Sequence, residues 1–353
     1  MPMTPNATLV FAEIPESHTH LKEGVHLKVE NRPIDLDNVP LNGGALLKTL
    51  ILSSDPYMRY RFRDANEPMF CAAVPLHSVV DNIGVAKVVR SDDPNFAPGD
   101  YVTGFLEFAE YSVNESYKPA GLTPALTKVK KHPNLPLSAY LGPLGLPAHT
   151  AYGAWKAYME EKVKTSKSMF VSSGAGAVGT FLIEYAKATA PHLKIIASAG
   201  SDEKVQHMKN IGVDVPFNYK TQDANAVLKE AGPIDIYFDN VGGSALDAAL
   251  LNINSYGLII ACGNISSTSD RSSVEHSEQI FKRCLTIQGF LSYAGPAGAA
   301  LATFEKDVVP LVSSGKITSR VHEFHGINEA FAALESVQTG ANNGKAVIVV
   351  AED

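Results

Sequence analysis

The sequence predicts an α/β protein in which a doubly wound parallel sheet is inserted into a mainly β region. Three observations predict this fold. A glycine-rich turn separates an apolar run from a helical pattern in mid-chain, strand and helix patterns alternate after about residue 150, and strand character returns near the end. Alternation of strands with helices is typical of a parallel sheet. We therefore expect two domains in these 353 residues, one formed by residues 1–140 and 317–353 and the other by residues 141–316.

Both regions are predicted from runs of residues that favour strands or helices. In the first, residues 44–54, 79–89 and a segment starting at Tyr101 read as strands, as does the tail 345–350. In the second, short apolar runs alternate with helical patterns, and a further helix is expected over residues 298–314. The predicted strands of this second region are 169–172, 194–198, 215–218, 234–239, 257–262 and 285–290.

The glycine-rich turn is Gly174-x-Gly176-x-x-Gly179, placed between the first of these strands and a helical pattern. In a dinucleotide site, one such glycine permits the tight turn, one lets the backbone approach the pyrophosphate, and one lets the helix pack on the strand. Alone, the pattern is weak and an ordinary glycine turn is the simpler interpretation. The flanking strand and helix favour a dinucleotide site.

The end of the next strand favours NADP over NAD. An NAD site carries a carboxylate about 20 residues beyond the glycines for the ribose 2′-hydroxyl, whereas residues 195–201 contain none. Ser201 is expected to be a helix N-cap, which places Lys204 in the first turn. A cation there opposes the helix dipole unless an anion lies nearby. The alternative is a solvated surface lysine, but together the two features predict NADP.

Composition excludes several classes of partner. The formal net charge of −7, with no basic run, argues against nucleic acid or an anionic membrane. No apolar run is long enough to span a bilayer, and no signal peptide is recognised. With only Cys71, Cys262 and Cys284, a disulfide framework is not expected. We therefore expect a cytoplasmic location.

Six motifs occur along the chain: SSDPYMR at 53–59, YVTG at 101–104, LGPLGLPAHTAY at 141–152, GSDEK at 200–204, FNYK at 217–220 and FDNVGG at 238–243. In this order they resemble the zinc-free prostaglandin reductase and alkenal double-bond reductase branch of the medium-chain dehydrogenase/reductase superfamily. The resemblance covers nearly the whole chain, and it implies a GroES-like mainly β catalytic domain, a Rossmann cofactor domain, NADP(H) and a homodimer.

A metal site is not expected. The three cysteines are not closely spaced as in a structural zinc site, and no His-Glu-x-x-His occurs. The lone pair His18 and His20, near the terminus, is interpreted as a surface feature rather than a site. The resemblance instead implies hydride transfer to the β-carbon of an α,β-unsaturated aldehyde or ketone, a small-molecule substrate. Such a reaction needs a hydrogen-bond donor at the developing enolate oxygen and a proton at the α-carbon.

The chain departs from this family at the proton donor. A tyrosine often follows the Cys-Gly-x-Ile-Ser motif, but Thr268 stands there, and its hydroxyl is a poorer donor. Either the cofactor ribose hydroxyl suffices or another tyrosine takes over, with Tyr57 as the first candidate and Tyr293 as the second. A ring that lines the pocket is the alternative for Tyr57, and simple packing is the alternative for Tyr293.

The resemblance also implies cofactor contacts. Four groups of residues are assigned by their matching positions in the family. They are the pyrophosphate turn, residues near the 2′-phosphate, residues near the nicotinamide and one residue from the tail. Strand-end packing for Tyr219 and plain turns for Asn240 and Asn342 are the alternatives, and Arg59 and Arg61 are further phosphate candidates or solvated arginines. The expected contacts are Gly174, Gly176, Ala177, Val178, Gly179, Ser201, Lys204, Tyr219, Asn240, Cys262, Gly263, Ile265, Phe290, Leu291 and Asn342.

Two other functions stay open at this point. A quinone reductase of the same superfamily also needs no zinc. A non-catalytic NADPH-binding protein is compatible with the loss of the family tyrosine at Thr268.

Overall fold

The computed structural model describes residues 3–16, 21–114, 126–132, 134–268 and 274–353; His18 and His20 lie outside them, as does the side chain of Thr268. The chain divides into two units, Met1–Leu141 with Val321–Asp353, and Gly142–Arg320. Residues 317–320, which the sequence assigned to the first unit, fall in the second, and Leu141, which it assigned to the second, falls in the first. Thr318 explains the first difference, because its backbone N–H and its hydroxyl both donate to the Glu184 carboxylate of the second unit.

The strands alternate with helices throughout the second unit, as expected, and at one place in the first. They are β1 Ala7–Phe11, β2 Leu27–Asn31, β3 Ala45–Ser53, β4 Asp81–Ser91, β5 Tyr101–Glu107, β6 Tyr111–Asn114, β7 Thr127–Lys128, β8 Ser168–Val171, β9 Lys194–Ala199, β10 Val215–Asn218, β11 Ile234–Asp239, β12 Ile253–Ala261, β13 Thr286–Gly289, β14 Val321–His325 and β15 Lys345–Val349. The α-helices are α1 Leu146–Ala154, α2 Glu160–Val163, α3 Ala177–Thr189, α4 Asp202–Asn210, α5 Ala224–Ala231, α6 Gly243–Asn252, α7 Gln279–Lys282, α8 Gly295–Ala300, α9 Phe304–Ser313 and α10 Ala330–Thr339.

The first unit is mainly β. Its seven-stranded sheet has the order β14-β15-β3-β4-β5-β7, with β6 also paired to β3, and β1 and β2 form a separate antiparallel pair. The tail strand β15 pairs with β3, so both ends of the chain build this unit. Its core joins apolar side chains of the sheet, such as Leu47 and Val102, to Phe331 and Leu334 of α10.

The second unit contains a six-stranded parallel sheet in the order β10-β9-β8-β11-β12-β13. The strand order reverses between β8 and β11, which defines a doubly wound sheet with its switch point at that pair. Every side chain of β8 is buried, as expected for a central strand covered on both faces. No helix among the described residues is long and apolar enough to cross a membrane.

The fold class predicted from the sequence is confirmed, and the differences concern individual elements. β10 and β11 have the predicted bounds, whereas β12 begins at Ile253 rather than 257 because Ile253 already pairs with Ile234 of β11. The single helix predicted over 298–314 is instead two helices, α8 and α9, joined by a tighter turn. The Tyr152 hydroxyl is hydrogen-bonded to Thr303 in this turn and to Asp307 beyond it.

Candidate active site

The predicted contact residues of the second unit follow the ends of its six parallel strands. Because parallel strands end at the same edge of a sheet, these residues share one edge, the usual place for ligands in an open α/β sheet. Tyr57 and Asn342 belong to the first unit. In the second unit, the glycine turn follows β8, Ser201 and Lys204 follow β9, Tyr219 follows β10, Asn240 follows β11, Cys262, Gly263 and Ile265 follow β12, and Phe290, Leu291 and Tyr293 follow β13.

The glycine turn is a tightly packed cradle at the start of α3. The residue with left-handed backbone is Ser173 (φ 53°), so the tight turn does not depend on a glycine there, in contrast to the sequence expectation. The glycines serve close packing: a Cβ on Gly174 would lie 2.7 Å from Ala197 Cβ, and a Cβ on Gly179 would lie 2.8 Å from Gly174 Cα. The first backbone hydrogen bond of α3 is donated by the Thr180 N–H to the Gly176 carbonyl at 2.8 Å. The amides that precede it have no partner inside the helix, which suits a pyrophosphate.

Asn240 ties β11 to β8 at the switch point. Its side-chain amide donates to the Ser172 carbonyl at 2.8 Å, and its backbone N–H donates to Ser172 Oγ at 3.0 Å. Asp239, which the sequence analysis passed over, organises the same corner, since one of its carboxylate oxygens accepts hydrogen bonds from the Val241 and Gly242 amides at 2.9 and 2.7 Å. Burial raises the pKa of Asp239, and these hydrogen bonds oppose that rise. Its position in the FDNVGG motif was the available signal.

The region after β9 and β10 gathers positive charge. Ser201 is the N-cap of α4, as predicted, and its hydroxyl oxygen accepts from the Lys204 N–H at 3.3 Å. Burial lowers the pKa of Lys204, and the charges of Lys220 and Arg320 lower it further. Tyr219 lies against Gly200, where an added Cβ would be 2.8 Å from the tyrosine hydroxyl oxygen. A half-buried lysine and a phenol therefore lie beside the start of α4.

The turn after β12 closes over the end of β11. The Cys262 and Gly263 amides both donate to the Asp239 carbonyl, at 2.9 and 3.0 Å. A Cβ on Gly263 would be 3.0 Å from the Asn240 carbonyl oxygen, so the approach needs a small residue. Burial, and then the Asp239 charge, raises the pKa of Cys262 to about 12. Cys262 is therefore a neutral thiol rather than a nucleophile.

Tyr293 is hydrogen-bonded to a histidine that the sequence analysis did not single out. Its hydroxyl lies 2.9 Å from His149 Nδ1. Burial lowers the pKa of His149 to about 4, so the imidazole is neutral at neutral pH. The ring also packs edge-on against Phe304, with centroids 4.4 Å apart. The pair is a phenol in contact with a neutral imidazole, and the imidazole Nδ1 accepts the phenol proton or donates its own according to the tautomer.

Tyr57 belongs to a buried polar network. Its hydroxyl donates to Asn82 Oδ1 at 2.5 Å, and Asn82 Nδ2 donates to Asp55 at 2.9 Å. Asp55 in turn accepts from Lys345 Nζ at 2.8 Å. Burial, and then the Asp55 charge, raises the pKa of Tyr57 well above its usual value. The Tyr57 proton is thus directed at Asn82, and donation to a substrate requires that this bond break.

The other predicted polar contacts have partners within their own unit. The Asn342 side chain donates to the Gly344 carbonyl at 2.7 Å, which is the bond of a turn. Arg61 is buried, with one nitrogen 2.6 Å from Asp81 Oδ1 and another donating to the Asp81 carbonyl. Arg59 lies over the Tyr60 ring. Arg61 is therefore used inside the first unit rather than held as a free cation.

Within the described residues, the one group of three side chains with metal-binding spacing is Asp247, Glu275 and His276. The Asp247 carboxylate already accepts from the Glu275 and His276 amides, both at 3.1 Å. These bonds give that carboxylate a role in the turn that needs no metal ion.

Comparison with known proteins places the chain among oxidoreductases. Residues 177–314 match the family model of zinc-binding dehydrogenases, and residues 23–122 match that of the N-terminal domain of oxidoreductases. The chain is 35% identical to an NADP(+)-dependent 2-alkenal reductase of Nicotiana tabacum, over 93% of each chain. It is 34% identical to prostaglandin reductase 1 of Bos taurus, over 90% of this chain and 94% of that one. The crystal structure of CurA from Vibrio vulnificus in complex with NADPH superposes with a TM-score of 0.83, at 26% identity, over 98% of this chain and 100% of that one.

The fold and these similarities define an NADP-dependent oxidoreductase with a GroES-like unit and a Rossmann unit. The chain belongs to the prostaglandin reductase and alkenal double-bond reductase family of the medium-chain dehydrogenase/reductase superfamily, whose enzymes act on CH–CH donors. NADP(H) fits the residues present, because the first amides of α3 after the glycine turn have no partner inside the helix and the region at Lys204 is positively charged. The family and the cofactor predicted from the sequence are confirmed.

Proposed function

We propose that this protein reduces the C=C bond of α,β-unsaturated aldehydes or ketones. Bound NADPH supplies the hydride that the β-carbon receives, and the resulting enolate is protonated at the α-carbon. The observation that carries the proposal is a phenol–imidazole pair, Tyr293 and His149, at the same sheet edge as the glycine cradle. The named activity of the Nicotiana tabacum relative, 2-alkenal reductase, supports the same reaction.

In this proposal the glycine turn and the region around Lys204 bind and orient the cofactor, and Tyr293 donates a hydrogen bond to the enolate oxygen. A phenol hydrogen bond to the developing oxyanion stabilises charge where it forms. His149, kept neutral by burial, can donate its Nδ1–H to the Tyr293 oxygen and so leave the Tyr293 proton for the enolate. The pair thereby offers the donor that Thr268 does not match.

The experiment is an assay of purified protein with NADPH and four substrates: a linear 2-alkenal, an aromatic enone, a quinone and a saturated aldehyde. We expect NADPH oxidation with the enal or the enone, and a product in which mass and NMR show a saturated C–C bond beside an intact carbonyl. Oxidation with the quinone alone would replace the proposal by a quinone reductase. Tight NADPH binding without turnover of any substrate would replace it by a binding role.

Replacing Tyr293 with phenylalanine is expected to lower kcat by about 100-fold, the usual cost of removing one donor to an oxyanion, with little change in KM. Tyr57→Phe is the matched control, since it also removes one hydroxyl that is already hydrogen-bonded. We expect it to cost far less, because Asn82 Oδ1 can only accept and holds the Tyr57 proton. His149, in contrast, can donate to Tyr293 and leave the Tyr293 proton free. A larger loss in Tyr57→Phe than in Tyr293→Phe, measured as kcat with product identity, would reverse the assignment.

We also propose a homodimer through the edge of the Rossmann sheet. In the described part of the chain β13 pairs on one side only, with β12, and Ile287 on this strand is exposed together with Phe281 before it and Leu291 after it. An uncovered edge with apolar side chains favours pairing with another strand. Light scattering is expected to give twice the 37.8 kDa chain mass and to fall towards one chain in Ile287→Lys. A wild-type protein that is monomeric at micromolar concentration would refute the dimer.

The cytoplasmic location stays a prediction.

A further inference from the structure

We propose that Arg320 is a third cation of the 2′-phosphate site, beside Lys204 and Lys220, and that it contributes to the preference for NADPH over NADH. The inference rests on the proposed placement of the 2′-phosphate next to Lys204 and Tyr219. Neither the sequence motifs nor the expected cofactor contacts included Arg320, which stands at the end of the second unit.

The first observation is a concentration of like charge. Lys204 lies in the first turn of α4, and Lys220 follows the end of β10. The charges of Lys220 and Arg320 both act on Lys204 to lower its pKa, after the effect of burial. Like charges that act on one another in this way are unfavourable in the free protein. A dianionic phosphate would remove that cost on binding.

The second observation is that buried side chains anchor the two chain segments that carry Lys220 and Arg320. The Asn218 side-chain amide donates to Asp202 Oδ1 at 2.8 Å, and its carbonyl oxygen accepts from the Lys220 N–H at 3.1 Å. This fixes the Lys220 turn against the start of α4. On the other side, buried Glu184 of α3 accepts both the N–H and the hydroxyl of Thr318, at 3.0 and 2.7 Å. Arg320 is therefore carried by a segment anchored to the Rossmann unit.

The third observation is that the Arg320 guanidinium is poorly satisfied. Its Nη2 is 3.4 Å from Glu203 Oε1, and the Glu203 side chain is 71% exposed. Its Nη1 is buried and has no hydrogen-bond partner within the described residues. A guanidinium has five donors in a planar fork that matches phosphate oxygens, so a long contact to one exposed carboxylate leaves most of its capacity unused.

The neighbouring histidine does not take over this role. His207 lies one turn further along α4, with Nε2 3.3 Å from Thr180 Oγ1. Burial lowers the pKa of His207, and the Arg320 charge lowers it further, so its ring is neutral at neutral pH. Arg320 therefore lies close to α4. The first turn of α4 contains Lys204, and His207 of the same helix contacts α3, which follows the glycine cradle.

The test measures dissociation constants of NADPH and NADH, by titration of the purified protein, for the wild type and for Arg320→Ala. We expect Arg320→Ala to raise the Kd of NADPH by about 10- to 100-fold, the range for one lost hydrogen bond to a charged group, and to leave the Kd of NADH unchanged. Arg320→Lys is expected to recover part of the loss. Lys209→Ala, which removes an exposed cation near the other end of α4, is the matched control and should leave the NADPH-to-NADH ratio unchanged.

Glu203→Gln provides a second variant that does not depend on the folding of Arg320→Ala. Removing this carboxylate frees Arg320 and reduces repulsion of the phosphate, so the Kd of NADPH is expected to fall about two- to fivefold. A wild type that prefers NADPH together with an Arg320→Ala variant that keeps the preference would overturn the inference alone. A wild type that binds both nucleotides equally would overturn the 2′-phosphate placement as well. Neither result bears on C=C reduction, which is read from the product.

Discussion

Gly179→Ala is expected to destabilise the protein by about 3 kcal/mol and to abolish measurable NADPH binding, because the new methyl group meets backbone rather than movable side chains. Its Cβ would lie 2.8 Å from Gly174 Cα and closer still to the Ser173 carbonyl oxygen. Ser173 already has a left-handed backbone, so the turn has little freedom to yield. The cradle would have to open, and the amides at the start of α3 would lose the arrangement that suits a pyrophosphate.

The sign of this effect separates tertiary packing from local propensity. Gly179 is inside α3, where helix propensity alone predicts that alanine stabilises by up to about 1 kcal/mol. Gly289→Ala is the matched control, because a Cβ there would have no atom within 4 Å. Urea unfolding and NADPH titration of both variants make the comparison. A Gly179→Ala variant as stable as Gly289→Ala, with cofactor affinity intact, would show that the cradle is not tight.

Lys345→Met is expected to destabilise the protein by about 3–5 kcal/mol, because it leaves a buried carboxylate without its counter-charge. Lys345 Nζ lies 2.8 Å from Asp55 Oδ1, and the two side chains are 4% and 6% exposed. The same ammonium donates to the Ser54 carbonyl at 2.5 Å. Asp55 also accepts from Ser53 and Asn82, so the loss should extend to the network that holds Tyr57.

Lys128→Met is the control for Lys345→Met. The Lys128–Asp100 pair has a similar separation of 2.7 Å, but its side chains are 54% and 28% exposed, and a loss below about 1 kcal/mol is expected. In the double variant Asp55→Asn with Lys345→Met, the buried charge is gone and part of the stability should return. Denaturant midpoints of the four proteins test this. Equal losses in the two single lysine variants would mean that burial of the Asp55 pair carries no special weight.

Much of the fold was predictable from the sequence because its signals are local. The glycine turn, the alternation of strands and helices, and the cap at Ser201 each depend on residues within one turn or strand, and each is found where it was expected. The bounds of β10 and β11 were predicted to the residue. Six motifs in fixed order were enough for the family and NADP(H), which the comparisons confirm.

The detail of the candidate site was not predictable in the same way. Tyr57 and Tyr293 were both named from the sequence, but nothing in the motifs indicates that one hydroxyl faces Asn82 and the other His149. The role of the glycines was also only partly foreseen, since the left-handed turn residue proved to be Ser173.

The sequence by itself determined the family, the cofactor and the order of the elements, because local patterns and ordered motifs encode them. Only the tertiary structure decided which distant groups meet: His149 and Tyr293 are 144 residues apart in the chain, Arg320 and Glu203 are 117 apart, and Lys345 and Asp55 are 290 apart. Such pairs leave no periodicity or spacing in the sequence. Their protonation and bonding depend on burial and on the charges that packing brings near, and these arise only when the chain is folded.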